Sequence, residues 1–270
     1  MTAIRSVSTA LRTIRDHPIL LAGGLAFAAL GELGGPVVGT GLSIAFLLVW
    51  PFVIGGMIGM IDAGLDGETG FDRFLVEARS NYLSMLGALV LFVLTIGVVY
   101  VGMVVLTIVV GLVGGIALFS LGDGDALGAG LLLIGLFLAS LLVVFLVFVF
   151  LQFFYAAVAV SDAGAIGSLS KSAGLVRANF LSVLGYSVIF FLLTFVPWIP
   201  DTVLFFLAVE LPDAEAGSGY AVVSEPLLAL SVGLGLLLGT LAATFAWTYH
   251  VTFYRSTVDK GDGGSTGFPA

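Results

Sequence analysis

Arginine, asparagine and aspartate are the polar residues that this sequence repeats. Arg79 and Asn81 return as Arg177 and Asn179, and Asp62 returns as Asp162 and more faintly as Asp259. A guanidinium offers a planar fork of N–H donors that fits a phosphate or a carboxylate, and a neighbouring amide adds another donor. With Arg15 and Lys171, these residues can hold the phosphate of a lipid headgroup, or they can pair with one another and with helix-end carbonyls to fasten one segment to the next. A second polar group, Gln152, Tyr155, Tyr249 and His250, falls at similar depth in two apolar segments. It reads either as a polar pocket or as an interfacial belt of amphipathic rings.

Neither set makes a reaction centre. The sequence has no Ser/His/Asp arrangement, no phosphate-cradling glycine loop after a strand, and no paired carboxylates deep in an apolar segment. His17 and His250 are the only histidines, and neither has companions at metal-ligand spacing. The absence of cysteine excludes disulfides, thiolate metal sites and cysteine nucleophiles. The expectation is a protein that is not an enzyme and takes no cofactor, metal or nucleic acid, with membrane lipids or another membrane protein as partners.

The elements that must position these residues are membrane helices. Sixty per cent hydrophobic residues, 10% charged residues and a mean hydropathy of +1.20 overfill any water-facing surface of a 270-residue chain. Apolar stretches at 18–31, 37–61, 83–119, 126–160, 180–209 and 226–254 predict an all-α polytopic bundle of about six spans, each needing about 20 apolar residues. No removable signal peptide is expected, since the N-terminal arginines lead into no compact apolar core with a cleavage site.

Charge predicts the orientation. The nine basic residues, Arg5, Arg12, Arg15, Arg73, Arg79, Lys171, Arg177, Arg255 and Lys260, all fall before span 1, between spans 2 and 3, between spans 4 and 5, or after span 6. Lysine and arginine gather on the cytoplasmic side, so both termini are expected inside the cytoplasmic membrane. Eight acids lie in the opposite connections or at the outer helix ends, Glu32, Asp123, Asp125, Asp201, Glu210, Asp213, Glu215 and Glu225, and account for the net charge of -8. An outer face so acidic points to a salt-loving microbe.

The peptide ARSNYLSMLGALVLF, residues 78–92, returns 98 residues later as VRANFLSVLGYSVIF with eight of fifteen positions identical. The inner end of span 2, IDAGLDG, is matched by SDAGAIG after span 4. These repeats predict a single transmembrane domain, 1–261, made of three elbow-plus-hairpin units at 1–64, 65–164 and 165–261, followed by a disordered tail at 262–270. The elbows are expected to be amphipathic interfacial helices. Their apolar stripes are Ile4, Val7, Leu11 and Ile14; Phe71, Phe74, Leu75, Ala78 and Tyr82; and Ile166, Leu169, Ala173, Val176 and Phe180. Glycine at 64 or 67 and at 164 or 167 is expected to end the preceding helix.

Pro197 and Pro200 should break span 5, and the repeat carries an equivalent break to 98–102 in span 3, with short second helices at 103–118 and 202–211. Pro51 should kink span 2. Glycine pairs four apart, such as Gly55 and Gly59 or Gly235 and Gly239, are expected at close helix contacts.

With R-x-N-aromatic-L-S-x-L-G opening spans 3 and 5 and D-A-G closing spans 2 and 4, the chain resembles a broad group of prokaryotic six-span proteins. The group includes the membrane domain attached to some glycerophosphodiester phosphodiesterases and stand-alone proteins, haloarchaeal ones among them. The resemblance implies a similar helical fold and no reaction, because the metal-binding acids and histidines of the phosphodiesterase domain are missing. The functional expectation is binding of lipid or a membrane partner in a scaffold or accessory role. The alternative is a permease or channel for a small neutral or apolar solute, framed by broken spans 3 and 5. An intramembrane enzyme built on Gln152, Tyr155, Tyr249 and His250 ranks third.

Overall fold

A computed structural model describes residues 2–33, 40–120, 126–210 and 222–262. Most of the expected acidic connections and the tail beyond residue 262 lie outside these residues. The described chain is helical: α1 (Thr2–Asp16), α2 (Leu20–Leu33), α3 (Thr40–Leu65), α4 (Phe71–Ser120), α5 (Ala126–Leu151), α6 (Phe154–Ser161), α7 (Ala165–Ala178), α8 (Phe180–Phe195), α9 (Trp198–Ala208) and α10 (Glu225–Asp262). A two-residue antiparallel pairing of Val209–Glu210 with Val222–Val223 is the only ladder among the described residues. Five stretches are long and apolar enough to cross a membrane, Ala45–Leu65, Phe71–Gly114, Gly130–Ser161, Phe180–Leu204 and Glu225–Asp259. The apolar helix Leu20–Gly31 is shorter, so among the described residues five long apolar helices and one short one stand where about six spans were expected.

Buried side chains gather at one end of the bundle, in 53–61, 74–88, 149–163, 168–186 and 243–257. Ile54, Met57, Ile58, Ile61, Met85 and Phe154 form one cluster, and Phe153, Val183, Tyr186, Tyr249 and Phe253 form a second beside it. This is the end that carries α1, α7 and the start of α4, and hence the basic residues. Toward the other end the helices expose long apolar side chains, from Leu94 to Ile116 on α4 and from Leu131 to Phe145 on α5. Such exposure costs little beside lipid tails, which are as apolar as the side chains they meet.

Two chain reversals at the packed end use a left-handed residue. Gly67 has φ +86° and follows α3, where the Glu68 amide donates to the Ala63 carbonyl at 3.0 Å. After α6 the left-handed position falls to Asp162 (φ 48°), not to either expected glycine, and Gly164 is the extended residue that opens α7. Aspartate tolerates this conformation better than most side chains.

The break in span 5 is where the prolines put it. α8 stops at Phe195 and α9 starts at Trp198, earlier than the expected 202–211. The matching break at 98–102 does not occur, because α4 is one helix of 50 residues, roughly 75 Å at 1.5 Å per residue. No proline lies between Phe71 and Ser120, so nothing removes an amide donor there, and the repeat does not carry the break across. The same helix absorbs the second elbow, so Asn81 is mid-helix while Asn179 sits at the bend between α7 and α8. Pro51 lies inside α3, and the Tyr82 hydroxyl donates to the Leu48 carbonyl in the turn before it at 3.1 Å.

The glycines work mainly where α3 meets α4 and α2 meets α10. Gly55, Gly56 and Gly59 face Met85, Phe74 and Glu77, and Gly24 lies against Thr244 and the Thr240 carbonyl with no room for a methyl group. Along α10, Thr240, Thr244, Thr248 and Thr252 each donate to the carbonyl four residues earlier. The helix thereby packs in apolar surroundings without leaving these hydroxyls unsatisfied.

Candidate functional site

The elbow faces differ from the simple stripe that periodicity suggested. In α1 it is Ala3, Ser6, Ala10 and Thr13 that are buried on the bundle, whereas Ile4 and Leu11 face outward. In α7 the buried residues are Ser168, Ser172 and Val176, and Ile166 is outward. Small side chains bring these helices close to α10 and α6, and the large apolar ones Ile4, Leu11 and Ile166 are left outward. At the start of α4, Phe74, Ala78 and Met85 are inward and Phe71 is outward.

Arg79 and Arg177 occupy equivalent outward positions. Each is exposed, and among the described residues neither has an ion pair or hydrogen bond. Four residues further on stand Leu83 and Leu181, exposed by 79% and 82%. On α4 this puts Arg79 and Leu83 on the same side of one helix, whereas the bend at Asn179 separates Arg177 from Leu181, and those two share only their outward exposure. Arg15 is exposed in the last turn of α1. Asn81 donates to Glu77 Oε2 at 3.1 Å, and Asn179 Nδ2 donates to the Leu175 carbonyl at 3.2 Å.

The recurring aspartates have three different settings. Asp62 is paired, but with Arg255 of α10: the guanidinium lies 3.4 Å from Asp62 Oδ1, donates to its carbonyl at 3.2 Å, and reaches Asp66 at 3.1 Å. Asp162 forms the left-handed cap of α6, and Asp259 is exposed beside Arg5, Asp66 and Arg255 in a surface cleft. Arg255 and Asp66 were missed in the sequence because their pairing joins residues 189 apart, and no local spacing marks it.

α7 is tied down by other side chains. Lys171 Nζ donates to the Ser161 carbonyl at 3.2 Å, at the end of α6. Ser172 enters the interruption between α5 and α6, where its hydroxyl donates to the Phe150 carbonyl at 2.9 Å and accepts from the Phe153 amide at 3.0 Å. A single serine thus satisfies both orphaned groups of a broken turn.

Gln152, Tyr155, Tyr249 and His250 are not joined by hydrogen bonds among the described residues. Gln152 exchanges hydrogen bonds with Ser187 at 3.1 and 3.2 Å. His250 is buried, stacked on Phe153 with ring centroids 5.0 Å apart, and its Nδ1 meets the hydroxyl of Tyr186, a residue sequence reasoning did not single out. Tyr155 packs on Phe154 at 3.9 Å, and Tyr249 stacks on Tyr186 at 5.1 Å. His17 Nδ1 bonds the Thr69 hydroxyl at 2.9 Å, joining the end of α1 to the loop before α4. Among the described residues no three His, Cys, Asp or Glu side chains gather at metal-binding distances.

No curated protein and no solved structure matches this chain. One family model covers residues 1–257, nearly the whole sequence, so the chain belongs to the DUF7847 family, a domain of unknown function.

Proposed function

We propose that this protein is a non-catalytic, multi-pass protein of the cytoplasmic membrane that binds anionic lipid headgroups through its elbows, in a scaffold or accessory role. The observation that carries this reading is the pair of unpartnered cations, Arg79 and Arg177, each exposed four residues before an exposed leucine. A guanidinium at headgroup level with an aliphatic side chain below it suits a lipid phosphate above an acyl chain. Arg5, Arg12 and Arg15 add positive charge along the outer side of α1. The positive-inside distribution supports placing this end, and both termini, in the cytoplasm. The 98-residue sequence repeat supports a common origin for the hairpins. The resemblance to the phosphodiesterase-linked membrane domain supports the same non-catalytic architecture, and the acidic opposite face suits a salt-rich habitat.

The permease or channel reading has less behind it, since α4 is unbroken and contributes nothing to the cavity at the α8–α9 break. The proposal is tested by native mass spectrometry of protein released from nanodiscs containing phosphatidylglycerol. Wild type should retain anionic lipid, and Arg79→Ala with Arg177→Ala should lose most of it while melting at the same temperature. Unchanged retention in the folded double variant refutes the proposal.

A further inference from the structure

Between α2, α3, α8, α9 and α10 lies a cavity of about 330 Å³. The chain has three tryptophans, and all three, Trp50, Trp198 and Trp247, line it. Phe27 and Phe190 extend the aromatic wall, and glycines and alanines of α2 and α10, with Thr194 and Pro197, form the rest. No charged side chain lines it, and Thr194, the one hydroxyl present, donates to the carbonyls of Phe190 and Phe191 at 2.9 and 3.1 Å. Such a site offers nothing to replace the hydration of an ion or a sugar, and an apolar cavity does not hold ordered water.

The cavity is elongated along α10. Along α10 its lining runs from Gly235 to Trp247, thirteen residues that rise about 18 Å along the helix. That length and the largely apolar lining suit an extended hydrocarbon chain, the apolar molecule that surrounds a membrane helix bundle. At the α8–α9 break Trp198 lines the cavity and is more than half exposed, and its neighbour Ile199 is exposed as well. That surface faces lipid in a membrane, so the entrance opens sideways into the hydrocarbon layer.

We infer that this cavity is a binding site for one hydrocarbon chain of a bilayer lipid, entered laterally past Trp198. It rests on the membrane reading but not on the elbow cations, and it adds a chain site at a different depth from the headgroup contacts. The α8–α9 break thereby gains a purpose: Pro197, which cannot continue α8, leaves the gap that Trp198 gates.

Because every tryptophan is at the cavity, intrinsic fluorescence reads it directly. The protein is reconstituted in phosphatidylcholine vesicles with or without bromine atoms on the acyl chains, which quench indoles on contact. Trp50→Phe with Trp198→Phe leaves Trp247 alone on the inner wall. Brominated chains should lower its emission at least twofold. Gly31 lines the cavity and a Cβ there meets no other atom within 4 Å, so Gly31→Phe is the variant that puts a ring into the space. It should reduce the quenching at least twofold with the melting temperature unchanged. Should the double tryptophan variant fail to fold, Gly31→Phe against Gly31→Ala in the wild-type background reads the same difference. Unquenched Trp247, equal quenching in folded Gly31→Phe, or a co-purifying non-lipid molecule that shields Trp247 would each overturn the inference. None of these outcomes bears on lipid retention by Arg79 and Arg177.

Discussion

Arg255 on the last helix holds Asp62 at the end of α3, 193 residues earlier in the chain, by its side chain at 3.4 Å and by its backbone carbonyl at 3.2 Å. The same guanidinium reaches Asp66 at 3.1 Å. One side chain therefore satisfies a helix-end carbonyl, neutralises a half-buried carboxylate and closes the ring between the first hairpin and the last helix. Only a planar fork can do all three, so lysine is not an equivalent.

Arg255→Ala leaves Asp62 without its cation in a setting where the carboxylate is only 25% exposed. Full burial would make the loss about 3–5 kcal/mol, and partial exposure here brings the expectation to about 1–2 kcal/mol. Thermal unfolding in detergent should show the drop, with Arg255→Lys recovering less than half. Adding Asp62→Asn to Arg255→Ala should restore part of the loss, and additive single effects would show that the two residues do not interact.

The Tyr186 hydroxyl meets His250 Nδ1 within a stack of Phe153, Tyr249 and Phe253. Tyr186→Phe keeps the ring and removes the bond, leaving a buried imidazole nitrogen unpartnered at a cost of about 1–3 kcal/mol. Replacing both residues with phenylalanine should be milder than Tyr186→Phe alone, because no polar group is then stranded. Melting temperatures of the three variants decide it. A double variant worse than the single would mean that the imidazole contributes by shape and not by its hydrogen bond.

Gly24 and Gly31 stand two turns apart on α2 but should respond oppositely to alanine. A methyl group at Gly24 meets Thr244 and the Thr240 carbonyl, so α2 and α10 must part, at about 1–3 kcal/mol. At Gly31 the methyl enters open space, and the better helix propensity of alanine should stabilise by up to about 1 kcal/mol. Thermal unfolding of the two single variants separates these signs.

What was legible in the sequence was what depends on composition and on single strong residues: helical class, apolar spans, the proline break after Phe195 and the glycine turn at Gly67. The elbow faces were half legible. The 3.6-residue period located a large apolar stripe in α1 but could not say that the smaller stripe, Ala3, Ser6, Ala10 and Thr13, would be the one that packs. Close packing between membrane helices favours small residues, whereas hydrophobicity alone favours large ones. The Asp62–Arg255 pair and the insertion of Ser172 between Phe150 and Phe153 left no trace in local spacing, since each joins residues brought together only by tertiary packing. The repeat misled at 98–102, where similarity was extended past the residues that are actually alike.

The continuity of α4 at that point is open to a direct test. Val98 is 72% exposed, so its side chain contributes little packing, and changing it reads the backbone almost alone. Proline there removes one amide donor and presses its ring on the preceding turn, which in a continuous helix costs about 3 kcal/mol or more. Val98→Pro should therefore lower the melting temperature sharply, while Val98→Ala should leave it within a degree or two. Pro197→Ala is the counterpart at the real break: removing a proline where α8 has already ended should change stability far less than inserting one in α4. If Val98→Pro were tolerated as well as Val98→Ala, the helix would be interrupted there after all, and spans 3 and 5 would share a broken form.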